Sequence, residues 1–170
     1  MGRPLTALAA AGVAAFACIV LAATATGAPR GVAPCTLLAA KSEILSSNLP
    51  MGLKHDAAGR NGSGIDRLIC RDLTGDGRKD MVASVFSRPN GVEAWIFFRA
   101  APGSWKLSFR RTGLVAARVG VAGKGVTEAD PVFRQGDERP CCPSGGQKHY
   151  RFEWLRGKMA KVRSWHTGAP

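Results

Sequence analysis

Apolar and polar residues change their spacing twice along this 170-residue chain, and each change marks a different kind of segment. Residues 5–23 are almost wholly apolar or small, without periodicity. Over residues 36–48 the spacing is helical: Leu37, Leu38, Lys41, Ile44 and Leu45 fall at i, i+1, i+4, i+7 and i+8, a stripe crossed by one lysine stem. Thr36 can cap its start, and Asn48 ahead of Leu49-Pro50 ends it. Residues 51–64, rich in Gly, Asn and Ser, read as loop. From residue 65 onward the pattern becomes runs of strand length separated by turn residues. Residues 65–71 form a short apolar strand that reaches Cys70. Residues 81–86 and 92–99 flank Arg88-Pro89-Asn90-Gly91, whose Asn-Gly suits positive φ. Trp105, Leu107 and Phe109 then alternate with Lys106, Ser108 and Arg110. Val115, Ala117, Val119 and Val121 share a face over 114–121, and residues 126–133 follow the Gly123-Lys124-Gly125 turn. Tyr150, Phe152 and Trp154 mark one face of a further strand, with Arg151 and Glu153 opposite, before Arg156-Gly157 turns the chain into 158–165. The expectation is an α+β fold in which the N-terminal helix packs on an antiparallel β-meander of about six or seven strands, stapled by disulfides.

The apolar N-terminus changes the compartment. Arg3, the run 5–23 and the A-x-A pattern Ala23-Thr24-Ala25 read as an export signal cleaved after Ala25. That divides the chain into a signal (1–25), a linker (26–34) and a single secreted domain (35–170). The run approaches the roughly 20 residues that span a bilayer, so a membrane partner follows only if the signal is retained or lipidated. Lipidation would use Cys18, but Ala15-Phe16-Ala17 lacks the usual aliphatic residue three before the cysteine. An exported chain with Cys35, Cys70, Cys141 and Cys142 is expected to hold two disulfides. Cys35–Cys70 with a strained bridge between the adjacent Cys141 and Cys142 is slightly preferred over two crosslinks between the pairs.

The net charge is +12, and +11 once Arg3 leaves with the signal. Such a charge attracts anionic envelope polymers or lipid headgroups. The basic residues are dispersed, with Arg78-Lys79 and Arg110-Arg111 the adjacent pairs, and no basic helix or nucleic-acid motif is present, so no specific nucleic-acid partner is expected.

One stretch points to chemistry. In Asp72-Leu73-Thr74-Gly75-Asp76-Gly77-Arg78-Lys79-Asp80, three carboxylates and a hydroxyl occupy positions 1, 3, 5 and 9 of a Gly-punctuated loop. Hard divalent cations take six to eight oxygens from flexible loops, and Ca²⁺ is the natural candidate. The competing reading is a strand-initiating turn in which Asp72 and Asp76 cap local amides. The stretch resembles the calcium loop of FG-GAP/VCBS-type repeats, pattern D-x-[DNT]-x-D-G-x-x-D. The resemblance implies Asp72, Thr74, Asp76 and Asp80 as side-chain ligands and the Arg78 carbonyl as a fifth.

A second resemblance lies in the tail. Pro131-Val132-Phe133-Arg134-Gln135-Gly136-Asp137, Cys141-Cys142-Pro143-Ser144-Gly145-Gly146 and Tyr150-Arg151-Phe152-Glu153-Trp154 are similar to small exported actinobacterial proteins, some grouped as LppP/LprE-like lipoproteins. It implies an exported or envelope-associated β-rich domain and carries no activity.

The remaining candidates favour a non-enzyme. His55, His149 and His166 share no ligand spacing, and neither Ser63 nor Ser144 sits in a nucleophile elbow. Adjacent cysteines in a Pro/Gly loop suit a structural disulfide better than a redox pair. Glu93, Glu128 and Glu153 could supply an acid pair for a hydrolase only if the fold brought two of them together. The reading is a secreted or envelope-associated binding module with a structural calcium loop. The alternative is a secreted inhibitor meeting an extracellular protein through exposed aromatics around Trp95, Trp105, Trp154 and Trp165.

Overall fold

The computed structural model describes residues 31, 33–139 and 142–168. The expected export signal and processing site, with Cys18 and Cys141, lie outside them. Helix α1 spans Leu37–Ser46 and α2 Met51–Ala57, followed by a 3₁₀ turn at Arg60–Gly62. Eight strands then follow among the described residues: β1 (Gly64–Arg71), β2 (Asp80–Ser87), β3 (Gly91–Ala101), β4 (Ser104–Thr112), β5 (Arg118–Ala122), β6 (Gly125–Pro131), β7 (Gln147–Leu155) and β8 (Lys158–Thr167).

The expected single meander is instead two four-stranded antiparallel sheets, β1-β2-β3-β4 and β5-β6-β7-β8, and the molecule is mostly β. The break falls inside the strand expected over 114–121. There the amides of Leu114, Ala116 and Ala117 bond the carbonyls of Glu93, Asn90 and Val92, at the start of β3. Ala116 also takes a positive φ of 53°. The chain therefore leaves the first sheet at this point and resumes pairing only at Arg118.

Three layers result. Met81, Ala83 and Val85 of β2, with Ala94, Ile96 and Phe98 of β3, pack with Ala40 and Ile44 of α1 and Leu53 and Ala57 of α2. The alternate residues Val82, Val92, Trp95 and Phe97 turn the other way, onto Val119, Val126, Phe152 and Met159 of the second sheet. Strands β2 and β3 are thus buried on both faces, which is why they read as continuous apolar runs. Each such buried side chain contributes about 1.5–3 kcal/mol before entropy is charged against it.

The helical layer differs from the expected one in two ways. Thr36 does cap α1, its Oγ1 accepting the Ala39 amide at 3.1 Å. The buried line, however, runs through Ala40 and Ile44, whereas Leu37, Leu38 and Leu45 are exposed. The small Ala40 lets the helix approach the sheet, so the wide apolar arc settles on its smaller side. Residues 51–57, expected as loop, form α2 because Leu53 and Ala57, spaced i and i+4, bury against the sheet. Tertiary burial overrides the weak local propensity there. The Lys41 ammonium donates to the Ala58 carbonyl at 2.8 Å and so satisfies the C-terminal end of α2.

Cys35 and Cys70 are disulfide-bonded, tying the lead-in of α1 to β1 near its end. This excludes the pairing in which both would crosslink to the 141–142 pair, and Cys142 is itself in a disulfide. Asp137 joins the two sides of the preceding loop, its Oδ2 accepting the amides of Arg134 (2.6 Å) and Ser144 (2.9 Å). Those backbone donors hold its carboxyl below the usual value.

Candidate functional site

The 72–80 loop folds around its own main chain. Asp72 accepts the amides of Gly75 (2.7 Å) and Gly77 (3.0 Å), and Asp76 accepts that of Arg78 (3.0 Å). Gly75 and Gly77 both take positive φ, as the tight turn requires. Asp80 is fully buried, with Oδ2 accepting the amides of Leu73 and Thr74 at 2.9 Å and Oδ1 that of Ala100 at 3.1 Å. It is the peg that fastens the loop to β2 and β3. The Lys124 ammonium stands beside Gly75. No group of three His, Cys, Asp or Glu side chains is placed to hold a metal among the described residues. The carboxylates of the loop thus accept its own amides, and the buried Thr74 Oγ1 has no hydrogen-bond partner.

The three candidate glutamates do not meet. Glu93 accepts the Ser87 hydroxyl at 2.7 Å, and burial, with Asp56 beside it, raises its pKa. Glu128 is buried between the sheets, accepting the Trp95 indole N–H and the Arg111 Nε at 3.1 Å. Glu153 pairs with Arg151 at 2.7 Å and belongs to the other face of the second sheet. The tryptophans divide as well: Trp95 and Trp105 are buried, Trp154 is half-buried, and Trp165 is exposed. An exposed surface formed by all four is thereby ruled out.

A more coherent surface lies on the outer face of the second sheet. Directly opposed residues of neighbouring strands share a face. One row across the sheet is Arg118, Ala129, His149 and Trp165, and the adjacent row is Gly120, Thr127, Arg151 and Arg163. The alternate rows, Val119-Glu128-Tyr150 and Val121-Val126-Phe152, face inward. The His149 and Trp165 rings stack at 5.0 Å and 6° between planes. The Arg163 guanidinium lies over the Trp165 ring at 5.2 Å, a cation–π contact. His149 is further held by the Thr167 hydroxyl at 2.9 Å. Gly120 and Ala129 leave a hollow of about 220 Å³ bordered by Arg67, Arg118, His149 and Trp165. Strand β8 is exposed at every residue from Lys161 to Thr167 and forms one edge of its sheet.

This surface was invisible in the sequence because Arg118, His149, Arg163 and Trp165 come from three strands whose register no local pattern states. Part of its signal was present: Arg151 and Glu153 alternate with the inward aromatics of β7. Strict alternation across the turn, however, would oppose Arg151 with Val162 and turn Arg163 and Trp165 inward; the irregularity between Phe152–Lys161 and Arg151–Arg163 is what brings them to the outer face. Of the three histidines only His149 joins this group; His55 is exposed on α2, and His166 bonds the Gly145 carbonyl at 2.8 Å.

No family model, curated protein or solved structure matches the chain. Among the described residues, no helix is long and apolar enough to cross a membrane.

Proposed function

We propose that the protein is a secreted or envelope-associated, non-catalytic module that binds an anionic polymer of the cell envelope on the outer face of the second sheet. The observation that supports it is the clustering there of Arg118, Arg151, Arg163, His149 and an exposed Trp165, against one carboxylate, Glu153, already paired with Arg151. Guanidinium groups pair with phosphate or carboxylate oxygens in a planar fork, and the Trp165–His149 stack offers a flat apolar platform beside them. The Cys35–Cys70 disulfide suits an oxidising compartment. The test is co-sedimentation of the purified domain with isolated envelope fractions over a salt series. Binding is expected to weaken as ionic strength passes about 0.1 M, where charges beyond about 10 Å are screened. Arg163→Gln with Trp165→Ala is expected to reduce it at least about tenfold. Saturable, salt-resistant binding to one protein would replace this reading with that of an inhibitor.

A structural Ca²⁺ at the 72–80 loop is a second reading, favoured by the unpartnered Thr74 Oγ1 at a position where a ligand oxygen is expected. An ion there would draw on Asp72, Thr74, Asp76 and Asp80 and the Arg78 carbonyl, and would pin the loop to β2. Thermal unfolding in excess EGTA and in millimolar Ca²⁺ checks it: a site filled to about 100 times its Kd adds about 2.7 kcal/mol. Asp76→Ala is expected to abolish that rise, and an unchanged midpoint in Ca²⁺ reduces the loop to its turn.

A further inference from the structure

A second cationic site lies on the opposite side of the second sheet, at the open end of the layer between the sheets. Arg99 of β3 and Lys106 of β4 are directly opposed across the ladder. Like charges in that position repel one another. Neither forms an ion pair among the described residues, in a chain whose 24 lysines and arginines outnumber its 12 carboxylates. Across from them the β7–β8 hairpin brings Trp154 and, in its two-residue turn, Gly157, and together these residues line a hollow of about 210 Å³. The Arg99 guanidinium sits over the Trp154 ring at 5.8 Å, and Trp154 leans on Phe97 at 5.5 Å, so the ring is held from the core side. That contact accounts for where the guanidinium lies. It does not account for the Arg99 Nε–H, which is buried with no acceptor. A buried donor without a partner is costly, and it lies here beside a second unpaired cation.

We infer that the hollow between Arg99, Lys106, Trp154 and Gly157 is a binding site for a single phosphate-type oxyanion. Two adjacent positive charges match a dianion, and the free Nε–H supplies a directed, charge-assisted bond to one of its oxygens. The volume lies below the range of sites that enclose drug-sized ligands, so it suits a phosphate group with a few atoms of its carrier and excludes a whole nucleotide. Gly157 carries no side chain at the rim, where a Cβ would meet nothing within 4 Å. The site shares no residue with the outer face described above.

The test is a titration of the ¹⁵N-labelled domain with inorganic phosphate, against sodium chloride at matched ionic strength, read by NMR. Saturable shifts of the Arg99 Nε–H and the Gly157 amide are expected. Lys106 is exposed, so Lys106→Gln is expected to fold and to weaken binding by about tenfold or more, as loss of one charge-assisted contact does. Arg99→Gln is expected to weaken it further, whereas Arg163→Gln on the outer face leaves it unchanged. Glycerol phosphate is titrated in parallel: tighter binding than phosphate assigns the site to a phosphate ester, and equal binding to the free anion. Shifts that never saturate, persist undiminished in Lys106→Gln, or vanish in Arg163→Gln overturn the assignment.

Discussion

Asp80 is expressed in sequence as the last carboxylate of an acidic loop, yet its two oxygens accept three main-chain amides, those of Leu73 and Ala100 buried and that of Thr74 partly so. Removing it strands those donors, each at a cost of about 1–3 kcal/mol. Asp80→Ala is therefore expected to lose at least about 3 kcal/mol in urea unfolding at neutral pH without added metal. Asp76→Ala, whose bond to the Arg78 amide is exposed, is expected to cost less than about 1 kcal/mol under the same conditions. Comparable losses in the two variants would contradict the division of labour within the loop. The spacing of Asp72, Asp76 and Asp80 was readable, as was the alternative in which Asp72 and Asp76 cap amides. The role of Asp80 was not, because the Ala100 amide it accepts lies twenty residues away on β3.

At the scale of elements, periodicity served well where one face is buried and poorly where both or neither are. Strand β4 keeps Trp105 and Leu107 on the helical side, but an irregularity at Ser108 turns Phe109, expected on the same face, onto the second sheet. The Asn-Gly turn joins β2 to β3 as expected. Helix α1 was placed to within a residue or two, but its leucines mark the exposed flank. Helix α2 went unrecognised, since a seven-residue segment is held by what it packs on rather than by its own propensity. The Cys35–Cys70 bridge matters most for this helical layer. It closes a loop of sequence separation 35, a constraint worth about 3–4 kcal/mol on the chain-entropy estimate. A Cys35→Ala/Cys70→Ala variant is expected to lose about that much in denaturant unfolding, and its α1 amides to exchange with solvent before those of β2 and β3. Uniform acceleration of exchange would place the stabilisation elsewhere.

The whole molecule is held together between its sheets, and a carboxyl with a shifted pKa sits there. Asp130 on β6 adjoins Arg111 of β4 at 3.8 Å and has a buried, unpartnered Oδ1. Burial, and then the charge and hydrogen bond of Glu128, push its carboxyl from 3.8 up to about 7, against the pull of Arg111 and Lys148. The folded domain therefore keeps a proton that the unfolded chain releases near pH 4. The stability it contributes is full below that value and is lost as pH rises through about 7. Glu93 is shifted in the same sense and Asp137 in the opposite one. Urea midpoints measured from about pH 4 to 8 are expected to fall less with rising pH in Asp130→Asn than in the parent. Identical profiles would show that this carboxyl does not link proton binding to folding.

Taken by itself, the sequence determined the local features: the cap at Thr36, the turns, the alternating strands, and a loop whose carboxylates lie within nine residues of one another. Each depends on neighbours along the chain, so a short window contains its cause. Tertiary structure alone decided that the strands divide into two sheets, that β2 and β3 are covered on both faces, and which cations stand together. Those outcomes depend on register between distant strands, and a change of register by one residue reverses every side chain across the sheet. Arg99 with Lys106, and His149 with Trp165, are neighbours only because that register places them opposite one another.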